Sequence, residues 1–466
     1  MQCSAVDDSY AAWCAPPFIQ ALSKPPPKPR KRPQRAVLQE IIADFWPVCN
    51  HFAQFSCISS PEDRACSLAI QPKSHYNITY HCNLYYKRII RRVYDLSGLF
   101  RYTPVDEAVL QRFCEVERNC PGNANSRHAA GTAAKAAIDA AIQSIARSLN
   151  VQPAEIIYTS GASEANNFAI KSIARLERHH GKHIISTPLE HSSVSGSLTA
   201  LQEQGYEIDL LDIRQDGTVD LAHLKELLRP DTILVAVTAV DSELGVVQPV
   251  AEIAEILKAY PHCHFHVDAT QAIGKLPVSF EGIDTMSLTA HKFYGLNGIG
   301  VLVKRRGLAL EPLIHGGEST TIYRSGTPTV ALACSLALAL DKAVTELPAR
   351  VEHIRALNAR LRTVLAKYPK VRINSPEGAV PQILNLSVQN VKGTVFQREL
   401  DARGVCVSVK SACSSDGLPS RAVFAVSHDR RNALSSWRIS LSHLTTEQEL
   451  DDFMQAFDAC YSALTQ

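Results

Sequence analysis

His266-Val-Asp-Ala-Thr-Gln271 and Thr289-Ala-His-Lys292 are the two stretches of this 466-residue chain from which its fold and chemistry are interpreted. The first ends an apolar, strand-like run with an aspartate, and the second sets one lysine in a small polar turn beside a histidine. A carboxylate at the end of a buried strand needs a partner, because an unpaired buried charge is costly. The two stretches therefore predict a ligand site at the end of a sheet.

Strand-like and helix-like segments alternate on the amino-terminal side of these stretches. This alternation predicts an α/β fold with a mostly parallel sheet that is covered by helices on both faces. The predicted strands are Glu155–Tyr158, Lys182–Ser186, Tyr206–Leu211, Thr232–Val240 and His264–Val267. The predicted helices are Gly131–Leu149, Ala165–Glu177, Ser193–Gln204, Leu221–Leu228 and Val250–Tyr260.

After Pro328 the pattern changes to long helices followed by short strands, which predicts a smaller C-terminal α+β domain. We therefore expect a large domain at 101–345 and a small one at 346–466. The helices of this part are predicted at Val330–Glu346, Arg350–Tyr368 and Thr446–Leu464, and the strands near Val371–Ile373, Gln382–Val388 and Val405–Ser408.

Residues 1–100 differ from the rest and are predicted to be an atypical N-terminal extension, largely disordered or poorly packed. Within them, Lys24–Arg35 is proline-rich and basic, and such a segment is extended and solvated. A disordered linker is favoured over a localisation signal or an anionic-surface patch.

Composition excludes several classes of function. The chain is 45% hydrophobic and 20% charged, as globular proteins are. Its formal net charge of +2 gives no electrostatic reason to expect nucleic acid or a membrane surface as a partner, and no apolar run is long enough to span a bilayer. The 13 cysteines are scattered without a Cys-x-x-Cys pair, which favours a reducing compartment such as the cytoplasm.

Two polar turns follow predicted strands. Ser160–Asn166 opens a helix, and its small residues let backbone N–H groups approach an anion, with the Ser163 hydroxyl beside them; a capped turn without a ligand is the alternative. Glu190-His191 follows another strand. The His191 ring could stack on a planar cofactor, and a surface loop histidine is the alternative.

Lys292 and Asp268 together suggest a particular cofactor. A lysine that forms a Schiff base and a carboxylate for a pyridinium nitrogen are what a pyridoxal 5'-phosphate (PLP) enzyme requires. Gln271 could bond the phenolic oxygen of the ring, and Thr289 and His291 could bond the phosphate. Taken alone, a single lysine is more often a solvated surface amine.

His262, His264, His266 and Asp268 resemble a metal cluster in sequence. Alternate residues of a strand share a face, so this spacing also arises in an ordinary strand. We interpret them as strand residues with only Asp268 at the functional end, and no metal site is expected.

Two motifs near the C-terminus bear on catalysis. Cys413 lies in the polar loop Ser411–Ser415, where a thiol acts as a nucleophile if its thiolate is stabilised; a structural or disulfide-bonded cysteine is the alternative. Arg438 lies within an apolar strand, where an arginine needs a carboxylate. That carboxylate is either the α-carboxylate of a substrate or a structural partner.

The order of these motifs resembles that of the cysteine desulfurases, the NifS/IscS-like group of the class-V aminotransferase family. The resemblance runs from about Tyr102 to the C-terminal helix. It implies PLP fold type I, a homodimer with active sites at the interface, L-cysteine as substrate, and a sulfur-acceptor or iron–sulfur scaffold protein as partner. The matching motifs are Gly122–His128, Ser160–Asn166, Glu190-His191, His266–Gln271, Ala290–Lys292, His315–Gly317, Arg324–Thr327, Ser411–Cys413 and Arg438–Ser440.

The resemblance also implies a role for each matching residue. Lys292 binds PLP covalently, Asp268 pairs with its pyridine nitrogen, Gln271 bonds its phenolic oxygen and His191 stacks on its ring. Cys413 takes the sulfur and forms a persulfide, and contacts an iron–sulfur cluster only during transfer. The phosphate ligands implied are Ala162, Ser163, Thr289, His291 and, from the partner subunit, Thr327; the substrate ligands implied are Arg438 and Asn125.

The chain departs from the family pattern at two places. Ser242 stands where the family usually has an asparagine that contacts cofactor and substrate, and only Thr103-Pro104 remains of the segment that lines the substrate pocket. These departures leave two alternatives to a desulfurase: a selenocysteine lyase or other PLP-dependent lyase, and a PLP-binding scaffold with impaired catalysis. The reducing compartment implied is the cytoplasm, or the mitochondrial matrix in a eukaryote.

Overall fold

The computed structural model describes residues 103–317, 321–409 and 418–466. All of them lie in one compact unit. The predicted N-terminal extension at 1–100, with Lys24–Arg35, lies outside the described residues, and so does Cys413.

A seven-stranded sheet with the order β1-β7-β6-β5-β4-β2-β3 forms the larger layer. The pairs β6/β5, β5/β4, β4/β2 and β2/β3 are parallel, whereas β7 runs antiparallel to both of its neighbours. The predicted α/β fold with a mostly parallel sheet is therefore confirmed. The strands are β1 Ile156–Thr159, β2 His183–Ser186, β3 Glu207–Leu210, β4 Thr232–Thr238, β5 His264–Asp268, β6 Thr285–Thr289 and β7 Gly300–Lys304.

Helices cover both faces of this sheet, as the strand sequences require. In β4, Val235 and Val237 face one hydrophobic core, while Leu234 and Ala236 face the other. Alternate residues of a strand point to opposite faces, so a continuously apolar strand must be buried on both. The helices of this part are α1 Glu107–Asn119, α2 Ala129–Leu149, α3 Ala162–Glu177, α4 Ser192–Gln202, α5 Leu221–Leu227, α6 Val250–Leu257 and α7 Val330–Thr345.

The C-terminal part forms an antiparallel three-stranded sheet, β10-β9-β8. The strand predicted at Val405–Ser408 is wrong: only Ser408 pairs there, in an isolated bridge to Arg438. The reason is that the apolar residues of this segment pack into the core without a continuous ladder. The elements are α8 Leu347–Leu365, β8 Val371–Ile373, β9 Ile383–Val388, α9 Gly393–Asp401, α10 Arg421–Ser427, α11 Arg430–Ser435, β10 Ser436–Ser440 and α12 Glu447–Thr465.

A separate hydrophobic core belongs to this C-terminal sheet. It includes residues from Ile354 to Cys460, and its centre is Trp437, which stacks on Phe396 at 5.0 Å between ring centroids. A domain boundary near residue 345 agrees with this second core and stays a prediction. No helix among the described residues is both long and apolar enough to cross a membrane.

Replacing Leu386 by alanine tests the second core. Leu386 is fully buried on the central strand β9, so the truncation should lower the free energy of unfolding by about 2–5 kcal/mol. Urea denaturation followed by far-UV circular dichroism measures the change. The matched control is Leu444→Ala, since Leu444 is 54% exposed; equal losses in both variants would contradict the assigned core.

Candidate active site

The predicted lysine, Lys292, ends a single 3-10 turn, Ala290–Lys292, that follows β6. Thr103 holds this turn: its N–H and hydroxyl donate to the carbonyl oxygen of His291 at 3.0 and 2.9 Å. The Thr103 hydroxyl oxygen also accepts the N–H of Tyr294 at 2.8 Å. One buried threonine thus fixes the backbone on both sides of the lysine.

Tyr294 has a left-handed backbone, with φ 68°, which is uncommon for a bulky residue. Its hydroxyl lies 2.8 Å from the Ser442 hydroxyl, its ring meets His443 edge-on at 4.4 Å, and the Arg350 guanidinium lies 5.2 Å over the ring. A strained residue persists only where its surroundings hold it. Contacts from the C-terminal part therefore fix the segment that follows Lys292.

A cavity opens beside Lys292, and Gln271 and Lys275 line it as well. Burial, together with the charges of Lys292 and Arg438, lowers the pKa of the Lys275 amine to about 7. The cavity thus brings two amines close together. Its lining residues are Thr103, Gln271, Gly274, Lys275, Lys292, Tyr294, Arg350, Ile354, Gln382, Leu441 and His443.

Asp268 ends β5 and is 3% exposed. Its Oδ2 accepts from Asn166 Nδ2 at 2.8 Å and its Oδ1 from the N–H of Thr270 at 2.9 Å. Asn166 Oδ1 lies 3.0 Å from His266 Nε2, and Thr285 Oγ1 lies 2.9 Å from His266 Nδ1. The buried carboxylate therefore has a partner on each oxygen, as a buried charge requires.

The protonation of His266 follows from its surroundings. Burial lowers the pKa of the His266 imidazole to about 4, so the ring is neutral at physiological pH. Since Asn166 donates with its nitrogen to Asp268, its oxygen must accept, and His266 Nε2 carries the proton. Nδ1 then accepts from the Thr285 hydroxyl. Neutral histidine and amide together fix the orientation of the carboxylate.

The same network reaches His191. Asn166 Nδ2 also donates to Ser193 Oγ at 2.9 Å, and Ser193 Oγ lies 2.8 Å from His191 Nδ1. Burial lowers the pKa of the His191 imidazole, and the charge of Lys292 adds to this effect. Asn166 therefore links Asp268 to His191, the two residues expected to face opposite parts of a cofactor ring.

The amino terminus of α3 supplies backbone donors. The helix begins at Ala162 after Gly161, and none of the described side chains caps it. Ser163 lies in its first turn, and a Cβ on Gly161 would lie 3.5 Å from Thr289 Oγ1. The Thr289 hydroxyl is thus adjacent to uncapped N–H groups, an arrangement suited to an anion such as a phosphate.

Thr289 and His291 are already hydrogen-bonded to one another. Thr289 Oγ1 donates to the Ile299 carbonyl at 3.1 Å and lies 3.1 Å from His291 Nδ1. Burial, with the nearby charge of Lys292, lowers the pKa of the His291 imidazole to about 4. If Thr289 is to donate to a phosphate, its hydroxyl must turn away from Ile299.

Arg438 lies at the centre of β10 and is 5% exposed. Its Nη1 donates to the backbone carbonyl oxygen of Ser242. Ser242 is the residue that departs from the family pattern, and its contact with Arg438 uses the backbone rather than the side chain. Asp241 lies directly before Ser242, and the Asp241 Oδ2 atom accepts from the N–H groups of Glu243 and Leu244. Burial and the charge of Glu243 raise the pKa of Asp241 to about 7.

Glu190 anchors the loop that carries His191. Its Oε1 accepts from the Thr187 hydroxyl and from the N–H of Thr238, both at 2.8 Å. Burial raises the pKa of Glu190 to about 8, so it is largely protonated at neutral pH. Its contribution is therefore to fasten this loop to the end of β4.

Two described residues of the predicted site, Thr327 and Asn125, do not join this group. Thr327 is exposed and lines another cavity with Ser160 and Arg324. Asn125 is exposed in the turn before α2, where its N–H donates to Asn123 Oδ1 at 2.9 Å. Cys413 lies outside the described residues. The roles assigned to all three stay predictions.

Five residues of the site were not predicted from sequence. Asn166 and His266 lie inside quoted motifs, and the alternation of His266 with Asp268 was a signal that they share a face. The apolar neighbours of Lys275 were a signal of its burial. No local pattern indicates the hydrogen bonds by which Thr103 holds the backbone around Lys292, called here the Thr103 clamp. Thr103 and Tyr294 are 191 residues apart in the sequence.

Comparisons with known proteins show the family to which this chain is similar. The chain matches the family described as Aminotransferase class-V over residues 102–453. It is 36% identical over 354 residues to the cysteine desulfurase IscS of Dictyoglomus turgidum, covering 75% of this chain and 90% of that protein. It is 38% identical over 357 residues to the cysteine desulfurase of Homo sapiens, covering 75% and 78%. A solved structure described as a NifS-like protein superposes with a TM-score of 0.75 at 34% identity, covering 79% and 99%.

Asn166→Ala removes the amide that joins Asp268, His266 and Ser193. Buried polar groups then lose their partners, so we expect the free energy of unfolding to fall by about 1–3 kcal/mol. Urea denaturation measures it. Asn167→Ala is the matched control, because the Asn167 amide donates to the Ser163 carbonyl at 2.9 Å in an exposed setting. An equal effect in both variants would argue against the network.

Thr103→Val tests the clamp around Lys292. Valine fills the space but leaves the Tyr294 N–H without its acceptor, which costs about 1–3 kcal/mol of unfolding free energy. Thr103→Ser keeps the hydroxyl and should retain most of the stability. Denaturant titration of the two variants measures the difference in unfolding free energy. A serine variant as unstable as the valine variant would refute the role of the Thr103 hydroxyl.

Proposed function

The chain belongs to the class-V aminotransferase family, in its NifS/IscS-like group, and we propose that it is a PLP-dependent cysteine desulfurase. The reaction removes sulfur from L-cysteine, giving L-alanine and a persulfide on the enzyme. The observation that carries the proposal is the network in which Asn166 holds Asp268 and His191, with Lys292 beside them.

The described residues fit PLP. Gln271 Oε1 is buried without a hydrogen-bond partner among the described residues, and Gln271 lines the cavity of Lys292. A buried oxygen of this kind calls for a polar ligand. Asp268 would bind the pyridine nitrogen, and the amino terminus of α3, with Ser163 and Thr289, would hold the phosphate.

PLP, when bound, supplies an electron sink for the pair of electrons that remains when a proton leaves the α-carbon of an amino acid. The chain supplies the rest. The Lys292 amine takes the proton from the α-carbon and later returns one. Asp268, oriented by its two hydrogen bonds, would stabilise positive charge at the ring nitrogen. Half-buried His191 would cover the ring and exclude water from it.

Arg438 is proposed to bind the α-carboxylate of the substrate. A guanidinium can form two parallel hydrogen bonds with a carboxylate, which fixes the amino acid in orientation. The bond from Arg438 to the Ser242 carbonyl holds the guanidinium in place. Because this bond uses the backbone, a serine at position 242 still permits it.

Cys413 is proposed to take the sulfur. Its thiolate forms a bond to the sulfur of L-cysteine, the carbon–sulfur bond breaks, and its electron pair stays with the carbon skeleton. That skeleton takes up a proton and leaves as L-alanine, so sulfur remains on Cys413 as a persulfide. The persulfide is then passed to a thiolation partner or an iron–sulfur scaffold protein.

The proposal extends to assembly and compartment. A homodimer would let Thr327 of one subunit reach the phosphate in the other, and its exposure in this chain is compatible with that. The described cysteines are all free: Cys114, Cys120, Cys263, Cys334, Cys406 and Cys460. Free thiols suit the reducing cytoplasm or mitochondrial matrix.

Two substitutions test the proposal. Lys292→Ala should reduce alanine production from L-cysteine to below about 1% of wild type, because the proton carrier is lost. Cys413→Ser should reduce sulfide release similarly while keeping the visible absorbance of bound PLP. Alanine and sulfide are measured in the purified holoenzyme, with Cys406→Ser as the control that keeps activity.

Three outcomes would count against the proposal. Full sulfide release by the Cys413→Ser protein would rule out that nucleophile. Faster turnover of selenocysteine than of L-cysteine would favour a selenocysteine lyase. Normal PLP absorbance without alanine production by the wild-type chain would favour a PLP-binding scaffold with impaired catalysis.

A further inference from the structure

Helix α3 meets strand β5 along a line of polar contacts, called here the polar seam: Asn166 with His266 and Asp268 at one end, Glu177 with His264 at the other. The Asn166 end belongs to the candidate active site. The Glu177 end lies at the last residue of α3 and the first residue of β5. The proposed desulfurase reaction uses none of the residues at this second end.

Histidines gather around Glu177. Its Oε2 lies 2.6 Å from His180 Nδ1, and its Oε1 lies 3.3 Å from His264 Nε2. The His262 ring, from the turn before β5, stacks on the His180 ring at 4.0 Å between centroids, and the His179 ring lies 3.9 Å from that of His180. Two chain segments far apart in sequence thus bring imidazoles to one carboxylate.

We propose that Glu177, His180 and His262 bind a divalent transition metal ion such as Zn²⁺. One ligand atom from each of the three lies within 4.8 Å of the other two. Imidazole nitrogen and carboxylate oxygen are the ligands that Zn²⁺ takes at about 2.0–2.2 Å. The absence of thiolate ligands favours Zn²⁺, Ni²⁺ or Cu²⁺ over Cu⁺, and a water completes a tetrahedral set.

The surroundings support a cation here. His264 Nε2 lies 3.3 Å from Glu177 Oε1, and His264 Nδ1 lies 3.7 Å from Asp284 Oδ2. The His264 imidazole therefore lies between two carboxylates. Such outer contacts orient metal ligands and tune their basicity. Glu177 is also the last residue of α3, where the helix macrodipole presents partial negative charge.

The metal can reach its ligands from solvent. His180 and His262 are exposed, and Glu177 is half-buried. The stacked rings turn about their side-chain bonds to direct one nitrogen each at the ion, a change that exposed side chains allow. The site is distinct from the cavity of Lys292, because none of its three ligands lines that cavity.

Metal binding to the full-length holoenzyme tests the proposal, with Co²⁺ as a visible probe and Zn²⁺ as its competitor. Thiols are first blocked with N-ethylmaleimide, since the chain has 13 cysteines. Wild type should bind one more equivalent of Co²⁺ than His180→Gln or His262→Gln, and Zn²⁺ should displace it. Glu177→Gln should weaken binding at least tenfold. Circular dichroism and PLP absorbance verify that each variant is folded.

His223→Gln is the matched control, because His223 is also a partly exposed histidine beside one carboxylate, Asp212, at 3.2 Å. It should bind Co²⁺ as wild type does. Folded His180→Gln and His262→Gln proteins with wild-type stoichiometry and affinity would overturn the proposal. The readout needs no catalytic turnover, so it holds whether or not the chain releases sulfide.

Discussion

The burial of the Asp268 carboxylate is the constraint on which the site depends. A charge at 3% exposure is tolerated only if each oxygen has a partner, and both are supplied by the protein: the Asn166 amide and the Thr270 N–H. A neutral His266 donates to the oxygen of this amide, which orients the amide nitrogen towards Asp268. Strand β5, helix α3 and strand β6 must therefore keep their relative positions for the carboxylate to keep both of its partners.

That requirement explains why polar residues are found on the sheet face that α3 covers. Along β5, His264, His266 and Asp268 face α3, whereas Phe265 and Val267 face the opposite hydrophobic core. An apolar residue at position 266 would leave the Asn166 oxygen without a donor. His264, His266 and Asp268 resembled a metal-binding pattern in sequence. In the structure they form the β5 side of the polar seam, in which the Asp268 carboxylate is held in place.

The sequence was sufficient for the α/β architecture because short apolar strands and amphipathic helices have distinct periods. It also singled out Lys292 and Asp268, because their motifs occur in a recognisable order, and their roles stay predictions. It failed at Val405–Ser408, where β propensity does not reveal that only one residue finds a bridge partner. It could not find the Thr103 clamp, because that contact depends on where two distant segments meet.

The clamp also bears on the missing substrate-pocket segment. Thr103 makes three hydrogen bonds to the backbone around Lys292, although the residues before it do not match the family. The left-handed Tyr294 would relax without them, since strain at one residue is maintained only by its neighbours. Thr103 is thus the residue of this segment that positions the backbone on both sides of Lys292.

Helix α3 has opposite electrostatic tasks at its two ends. Its uncapped amino terminus presents N–H groups beside Thr289, and its last residue, Glu177, lies among imidazoles. The peptide dipoles of the helix favour an anion at the first end and a cation at the second. The 16 residues from Ala162 to Glu177 span about 24 Å of helix, so one helix would carry the proposed phosphate site and the proposed metal site without bringing their charges together. The dipole thus favours a cation beside Glu177 at the second end, whereas the Asn166 end of the polar seam depends on side-chain hydrogen bonds to Asp268 and His266.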